Sequence, residues 1–408
     1  MSYRKSARAL FATAALATPL TAQTNVIRVE VDYMEDAFHS HKLQQAEVDA
    51  LVQMFACQGI TLILDVDQAI PEQRFIRCPD PENDDFFSCT GPESFQALRT
   101  EYFHKGPGWH YAVMGHRYDA GNGTTSSGVA IQPGIFFIVT LGAFAGQTGS
   151  PFDRAATFAH ELGHNLGLDH FSPDTSPIGR GPFAPNYPSV MSYQYQLNGV
   201  KTRLECLGLV GADHYFKDLD YSHGRMPELL EIALFEQRGV GIRQVDWDCD
   251  GLFDATPVVK DLDESFADWC QAGGGFGLVH DRDDWSSIMS VADQPADVRE
   301  RLPKRIATCM SYEDRLALEA PGSCPSTPSL SVEPCAPAEM VWVDPLHTGT
   351  AIGTGELPLV FLDIGLAFFP DHSIFYLQPG TQQLFAPGPL VLDDPAVLVS
   401  PGGAVIDP

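Results

Sequence analysis

The chain has 408 residues, a formal net charge of −28, and 44% hydrophobic against 19% charged residues. That balance excludes a chain disordered by composition, and the length favours two or more folding units. So strong a negative charge argues against nucleic acid or an anionic membrane surface as partner. It suits cationic substrates or calcium, and equally a surface adapted only for solubility.

Residues 1–22 carry a basic start (Arg4, Lys5, Arg8), a short apolar core from Ala9 to Ala17, and a small residue, Ala22, at a cleavage point. This is the pattern of a secretory signal, so the mature chain is expected outside the cell. No later segment reaches about eighteen apolar residues in a row, so no membrane span is expected.

From Asn25 to Tyr33 the apolar spacing of Val26, Ile27, Val29 and Val31 predicts a strand. Lys42 to Cys57 has helical spacing through Leu43, Val48, Leu51, Val52 and Phe55. Ile60 to Val66 reads as a buried strand, and residues 79–108, rich in Pro, Asp, Glu and Gly, as mostly loop. Tyr111 to Met114 and Gly134 to Leu141 give two further strands, separated by the Gly/Ser/Thr-rich stretch from Ala120 to Gly128.

A helix start follows: Ser150 suits the N-cap, Pro151 the first helical position, and Asp153 the acid of a capping box. Ala155, Ala156, Phe158 and Ala159 carry it into His160-Glu161-Leu162-Gly163-His164-Asn165-Leu166-Gly167-Leu168-Asp169-His170. Residues four apart share a helix face, so His160 and His164 can aim at one ion. Glu161 stands beside the first ligand, where its carboxylate reaches a water at the metal without ligating. Gly167 suits a left-handed exit from the helix that swings His170 back as third ligand. Three protein ligands with an open fourth position are the catalytic arrangement of zinc.

Beyond His170 the chain is expected to be mostly irregular, closed by a helix from about Pro227 to Gln237 on the apolar face of Leu229, Leu230, Ile232, Ala233 and Phe235. His104, His110, His116, His214 and His223 have no ligand spacing and read as structural or surface residues. Asp246, Asp248, Asp250, the Leu252 carbonyl and Asp254, around Gly251, form the oxygen pattern of a calcium loop. Position twelve is Pro257, so this is no standard EF-hand; Asp261 or Asp263 would supply missing oxygens. Ser287-Ile288-Met289-Ser290 has no zinc helix before it. Residues 320–338 read as a Pro/Ser-rich linker, and the tail from Met340 as a small β-rich module.

Nine cysteines in an exported chain imply disulfides with one thiol left over. Cys78 with Cys89, and Cys324 with Cys335, are near enough in sequence to close small loops.

The eleven-residue stretch resembles the HExxHxxGxxH signature of the metzincin zinc peptidases. Tyr187-Pro188-Ser189-Val190-Met191-Ser192-Tyr193 resembles their Met-turn. The resemblance implies Met191 as a hydrophobic base under the zinc. Tyr193, as in the astacin and serralysin branches, would ligate the resting metal and swing to stabilise the oxyanion. Phe171 matches no usual subfamily marker, so no subfamily is assigned. The wider run from Val29 to about Asp250 resembles a group of secreted bacterial metzincins. Arg77-Cys78-Pro79-Asp80 faintly resembles the latency cysteine of matrix metalloproteinases, but lies inside the domain and lacks the glycine; it reads as a plain disulfide cysteine.

The resemblance implies an α+β zincin fold. Its upper part is a twisted mixed sheet backed by two helices, and its lower part is irregular and ends in a helix. Phe136 to Leu141 would be the cleft-edge strand that pairs with substrate. The expected organisation is a signal over 1–22, a catalytic domain over 23–245 and a calcium-loop extension over 246–319. A linker over 320–338 and a β-rich module over 339–408 follow. The expected activity is that of a secreted zinc endopeptidase with Glu161 as general base and a protein or peptide as substrate. The alternatives are a non-cleaving, calcium-stabilised surface or adhesion protein, and a zinc hydrolase of a non-peptide amide.

Overall fold

The computed structural model describes residues 25–78, 86–119, 124–170, 182–209, 216–240, 244–262, 276–292, 305–318 and 327–330, together with six short strands between 351 and 406. The signal, Phe171, His214, Asp263, Cys324, Cys335 and most of the linker lie outside the described residues.

Strand β1 (Val26–Glu35) opens the chain, and α1 (Gln45–Ala56) and β2 (Thr61–Pro71) follow. Next come β3 (Ile76–Arg77), α2 (Phe95–Tyr102), β4 (His110–Gly115) and β5 (Tyr118–Asp119). Strands β6 (Gly128–Gln132) and β7 (Phe136–Thr140) lead into α3 (Pro151–Asn165) and α4 (Val200–Cys206). The later elements are β8 (Leu229–Leu230), β9 (Leu278–Val279), α5 (Asp284–Ala292), β10 (Arg305–Thr308) and α6 (Tyr312–Leu318).

The central sheet runs β10-β6-β7-β4-β1-β2. Strands β2, β1, β4 and β7 are parallel, while β6 is antiparallel to both β7 and β10. Side chains alternate across a strand, and the sheet has a core on each face. Val29, Val31, Ala112 and Phe137 join the core of α1 and α3; Met34, Tyr111, Val113 and Ile138 join a second core with Phe95 and Leu98 of α2. Trp247, Trp285, Ile288 and Met310 belong to the first core. The two helices are tied by Glu47 of α1, buried, to Arg154 of α3 at 3.2 Å through Nε.

The two early strands, the first helix and the strand at 110–115 stand where the spacing predicts them. One expectation is refined and two are corrected. The stretch read as mostly loop contains α2, which Ser94 caps by accepting from the Ala97 N–H at 3.2 Å. The expected edge strand, β7, is interior; β6 pairs antiparallel beside it, and β10 covers β6. The expected helix at 227–237 is absent. Leu229 and Leu230 pair as β8 with β9, and the turn beyond leaves Ile232 and Phe235 exposed. Glu231 and Glu236 instead turn inward. Glu231 accepts from Leu262 and Gly277 N–H, both at 2.6 Å, and Glu236 from Trp247 and Asp254 N–H, both at 2.7 Å. Buried carboxylates that satisfy loop N–H groups override a helical apolar pattern.

Ser287 to Ser290 lies in α5, not in a turn. Cys78 and Cys89 are bridged, Cys57, Cys206 and Cys249 are also disulfide-bonded, and Cys309 is the free thiol among the described residues. The tail strands β11 (Ala351–Ile352), β12 (Leu359–Phe361), β13 (Leu366–Phe368), β14 (Ile374–Leu377), β15 (Leu384–Phe385) and β16 (Val405–Ile406) pair in that order, each antiparallel to the next. No helix among the described residues is long and apolar enough to cross a membrane.

Asp32 of β1 is fully buried and accepts from the Tyr111 hydroxyl at 2.8 Å. Burial pushes its carboxyl up to about 7, against about 3.9 in an unfolded chain. Its contribution to stability is therefore complete below about pH 4 and is lost as pH rises through 7. The urea midpoint should fall between pH 5.5 and 8.5, and fall less in Asp32→Asn; equal slopes would remove Asp32 as the cause.

Candidate metal centre

Helix α3 begins as its sequence predicts. Ser150 accepts from Asp153 N–H at 3.1 Å while Asp153 accepts from Ser150 N–H at 2.8 Å, with Pro151 at the first helical position. Nearly all of α3 is buried, so its polar residues need internal partners.

The structure brings the three predicted ligands together. His160 and His164 Nε2 are 3.1 Å apart, His164 and His170 Nε2 2.9 Å, and His160 and His170 Nε2 3.1 Å. Gly167, at φ 95°, makes the left-handed turn that returns His170. Nδ1 of His160 donates to the Val190 carbonyl at 2.8 Å, and Nδ1 of His164 to the Leu168 carbonyl at 2.9 Å. Those bonds fix the tautomer that leaves each Nε2 a lone pair, which is how histidine ligands are oriented. Burial holds all three imidazoles well below their usual pKa, helped by the neighbouring imidazole in each case. His160 and His164, each with its proton on Nδ1, have none to share across their Nε2 contact, and three imidazoles on one point fit a borderline-soft cation such as zinc.

Glu161 is fully buried, and burial pushes its carboxyl well above the usual range. The backbone of Gly128 on β6 passes so close that a Cβ there would lie 2.2 Å from Glu161 Oε1. Met191 is fully buried beneath α3, with its sulfur 2.5 Å from where a Cβ on Gly163 would fall. The Tyr193 ring lies 4.6 Å from that of His170 between centroids, and burial pushes its phenol well above its usual pKa.

Sequence reasoning missed two parts of this site. Cys309 follows β10, is 7% exposed, and has its sulfur among the three imidazole nitrogens, all within 4.8 Å of one another. Its backbone is held by Ser126, whose hydroxyl donates to the Cys309 carbonyl at 2.9 Å. The only hint in the sequence was an odd cysteine. The second part is Asp284, fully buried under the Met191 turn. It accepts from the Tyr187 hydroxyl at 2.9 Å and the Ser189 hydroxyl at 2.7 Å, and pairs with Arg282 at 2.9 Å. The nearby Trp285 indole donates to Asp220 at 3.1 Å.

The acidic loop is only partly as expected. Asp246 and Asp248 bring carboxylate oxygens together with Glu236, which the sequence pattern did not include. The Asp250 and Asp254 carboxylates are not in that group. Asp250 accepts from Leu252 N–H at 2.8 Å, closing its own turn. Asp261 is buried. His110 is structural, with Nδ1 3.0 Å from Asn165 Oδ1.

No family model matches the chain, and no curated protein matches it. Two solved structures resemble it weakly. Archaemetzincin from Methanopyrus kandleri is 15% identical over 38% of this chain and 81% of its own, at a TM-score of 0.25. A zinc-dependent peptidase from Methanocorpusculum labreanum is 13% identical over 39% of this chain and 85% of its own, at 0.21. At these TM-scores neither likeness bears on the fold. The chain is a mixed α/β protein with a central mixed sheet and a histidine-rich candidate metal site.

Gly128→Ala would drive a methyl into Glu161 and to 2.7 Å from the Ile138 carbonyl. Overpacking of this kind costs about 1–3 kcal/mol, so the urea midpoint should fall. An unchanged midpoint would show that β6 does not press on Glu161.

Proposed function

We propose that the protein is a secreted zinc-dependent endopeptidase of the metzincin type. The observation that carries this reading is the convergence of His160, His164 and His170 Nε2 beside a buried glutamate. Zinc held by the three imidazoles would supply a Lewis acid that polarises the scissile carbonyl and acidifies a water. Glu161 takes that water's proton and delivers it to the leaving amine, a task that a carboxylate raised by burial suits. Tyr193, protonated, donates to the developing oxyanion. Met191 packs under the imidazoles and keeps water from that side.

In this reading residues 1–22 export the chain and residues 23–245 form the catalytic domain. Residues 246–319 brace it, which the packing of Trp285, Ile288 and Met310 in the same core supports. Residues 320–338 link to a β-rich module over 339–408. Calcium is proposed for Asp246 and Asp248, with Glu236 as the added carboxylate.

Two observations favour a second reading. With Cys309 the donor set is three imidazoles and a thiol, a closed set of the structural kind. Strand β10 also lies on β6 where an extended peptide would add. Both favour the non-cleaving binding protein. Cys309→Ser separates the two: cleavage that rises in the variant assigns a peptidase restrained by its own thiol. Zinc bound without cleavage in either form assigns the binding protein.

Glu161→Gln should retain zinc and lower turnover by about 10²–10⁴-fold, and 1,10-phenanthroline should abolish it. Normal cleavage of a broad protein substrate by this variant would sink the mechanism. Tyr193→Phe should lose less, on the order of tenfold or about 1.4 kcal/mol of barrier; an unchanged rate would remove Tyr193 from it.

A further inference from the structure

At the far end of the sheet, three neighbouring parallel strands deliver a second set of metal-ligand side chains to one point. His39 and His41 follow β1, Glu72 follows the last residue of β2, and His116 follows the last residue of β4. Strand β1 lies between the other two, and ligand sites in open α/β sheets favour the carboxyl ends of the strands. The turn after β1 folds back on itself. Asp36 N–H donates to the His39 carbonyl at 3.1 Å and His41 N–H to the Met34 carbonyl at 3.0 Å, while Glu35 bridges Ser40. In that extended return His39 and His41, two apart, share a side.

Among these four groups the one hydrogen bond is the long ring contact of His39 with His116. His39 Nε2 is 3.3 Å from His116 Nδ1 and 3.7 Å from Glu72 Oε1. His116 Nδ1 is 3.4 Å from Glu72 Oε1, and His41 Nε2 is 3.6 Å from Glu72 Oε2. A charge-assisted hydrogen bond would close such pairs to about 2.7–2.9 Å. The edge of a tetrahedron around zinc, with bonds of about 2.0–2.1 Å, is about 3.3–3.4 Å, close to the spacing seen. His41 Nε2 and both Glu72 oxygens are buried and accept or donate no hydrogen bond, a costly state for an empty cluster. The side chains are 3–18% exposed. Asp36 Oδ1 lies 3.1 Å from His39 Nδ1. It holds that nitrogen's proton and turns the Nε2 lone pair inward, the partner that metal-bound histidines keep.

We propose that His39, His41, Glu72 and His116 hold a second metal ion, a tetrahedral divalent transition metal with zinc as the best fit, which staples the ends of β1, β2 and β4. Imidazoles with one carboxylate select zinc-like ions over calcium or magnesium, which take all-oxygen sets. Four protein ligands close the shell, so the ion is structural. This inference stands apart from the reading of the His160 centre.

The test is zinc per chain in the full mature protein, loaded with zinc, dialysed, and checked for fold by far-ultraviolet circular dichroism. Wild type should carry about two zinc ions, His164→Ala about one, and His164→Ala with His41→Ala and His116→Ala none. The zinc-loaded His164→Ala protein should also melt higher than the same protein stripped by chelator. A folded His164→Ala protein without zinc would overturn the second site, as would a count that His41→Ala and His116→Ala leave unchanged. Should the triple variant not fold, the wild-type and His164→Ala counts decide alone. One zinc in wild type, lost with His116→Ala but kept with His164→Ala, would support this site and sink the peptidase reading instead.

Discussion

Two backbone carbonyls, those of Val190 and Leu168, govern the rest of the structure. Each takes the Nδ1 proton of an imidazole on α3 and so turns its Nε2 inward. Meeting them requires the chain to leave α3 by a left-handed turn at Gly167, and requires the Met191 turn to be held rigidly against the helix. The turn's rigidity comes from Asp284, which gathers Tyr187, Ser189 and Arg282. That dependence is why an extension a hundred residues downstream is packed into the same core as the helix.

The lower half has few ladders, and its backbone N–H groups must find acceptors elsewhere. Buried carboxylates supply them: Glu231 and Glu236 each take at least two loop N–H groups, and Asp281 takes Met226 N–H at 2.8 Å. Part of the chain's acidic excess is thus internal structure rather than a surface adapted for solubility. The cost of burying these groups is offset by hydrogen bonds to backbone donors, which are strong when the acceptor is charged.

What the sequence made legible was local. The capping box at Ser150, the ligand spacing within α3 and the exit at Gly167 are all decided within a few residues, and they stand as read. So do β1 and α1, whose apolar spacing is local. What it hid was non-local. Strand β6 follows the Gly/Ser/Thr-rich stretch in five residues, too short a run to read alone, and its partner β10 lies 173 residues away at the Arg305–Gln132 contact. The helix expected at 227–237 failed because two glutamates on its line face inward, which periodicity scores as polar and outward. His116 was dismissed for want of a neighbour, since its partners arrive from other strands. The His39–Ser40–His41 alternation went unread, since alternation on a turn signals little without the strands that frame it.

The pairing of β10 with β6 also bears on the order in which the molecule takes shape. Contacts that close long loops form late and slowly, because the chain entropy must be given up before they repay it. The helix, its three imidazoles and the turn at Met191 lie within 42 residues of one another (Ser150 to Met191), while Cys309 stands 118 residues beyond Met191. The three imidazoles are thus close in sequence, whereas the thiol joins them only through the long-range pairing of β10 with β6. A metal ion held by the three imidazoles before that pairing would keep an open side, which the thiol closes when β10 docks.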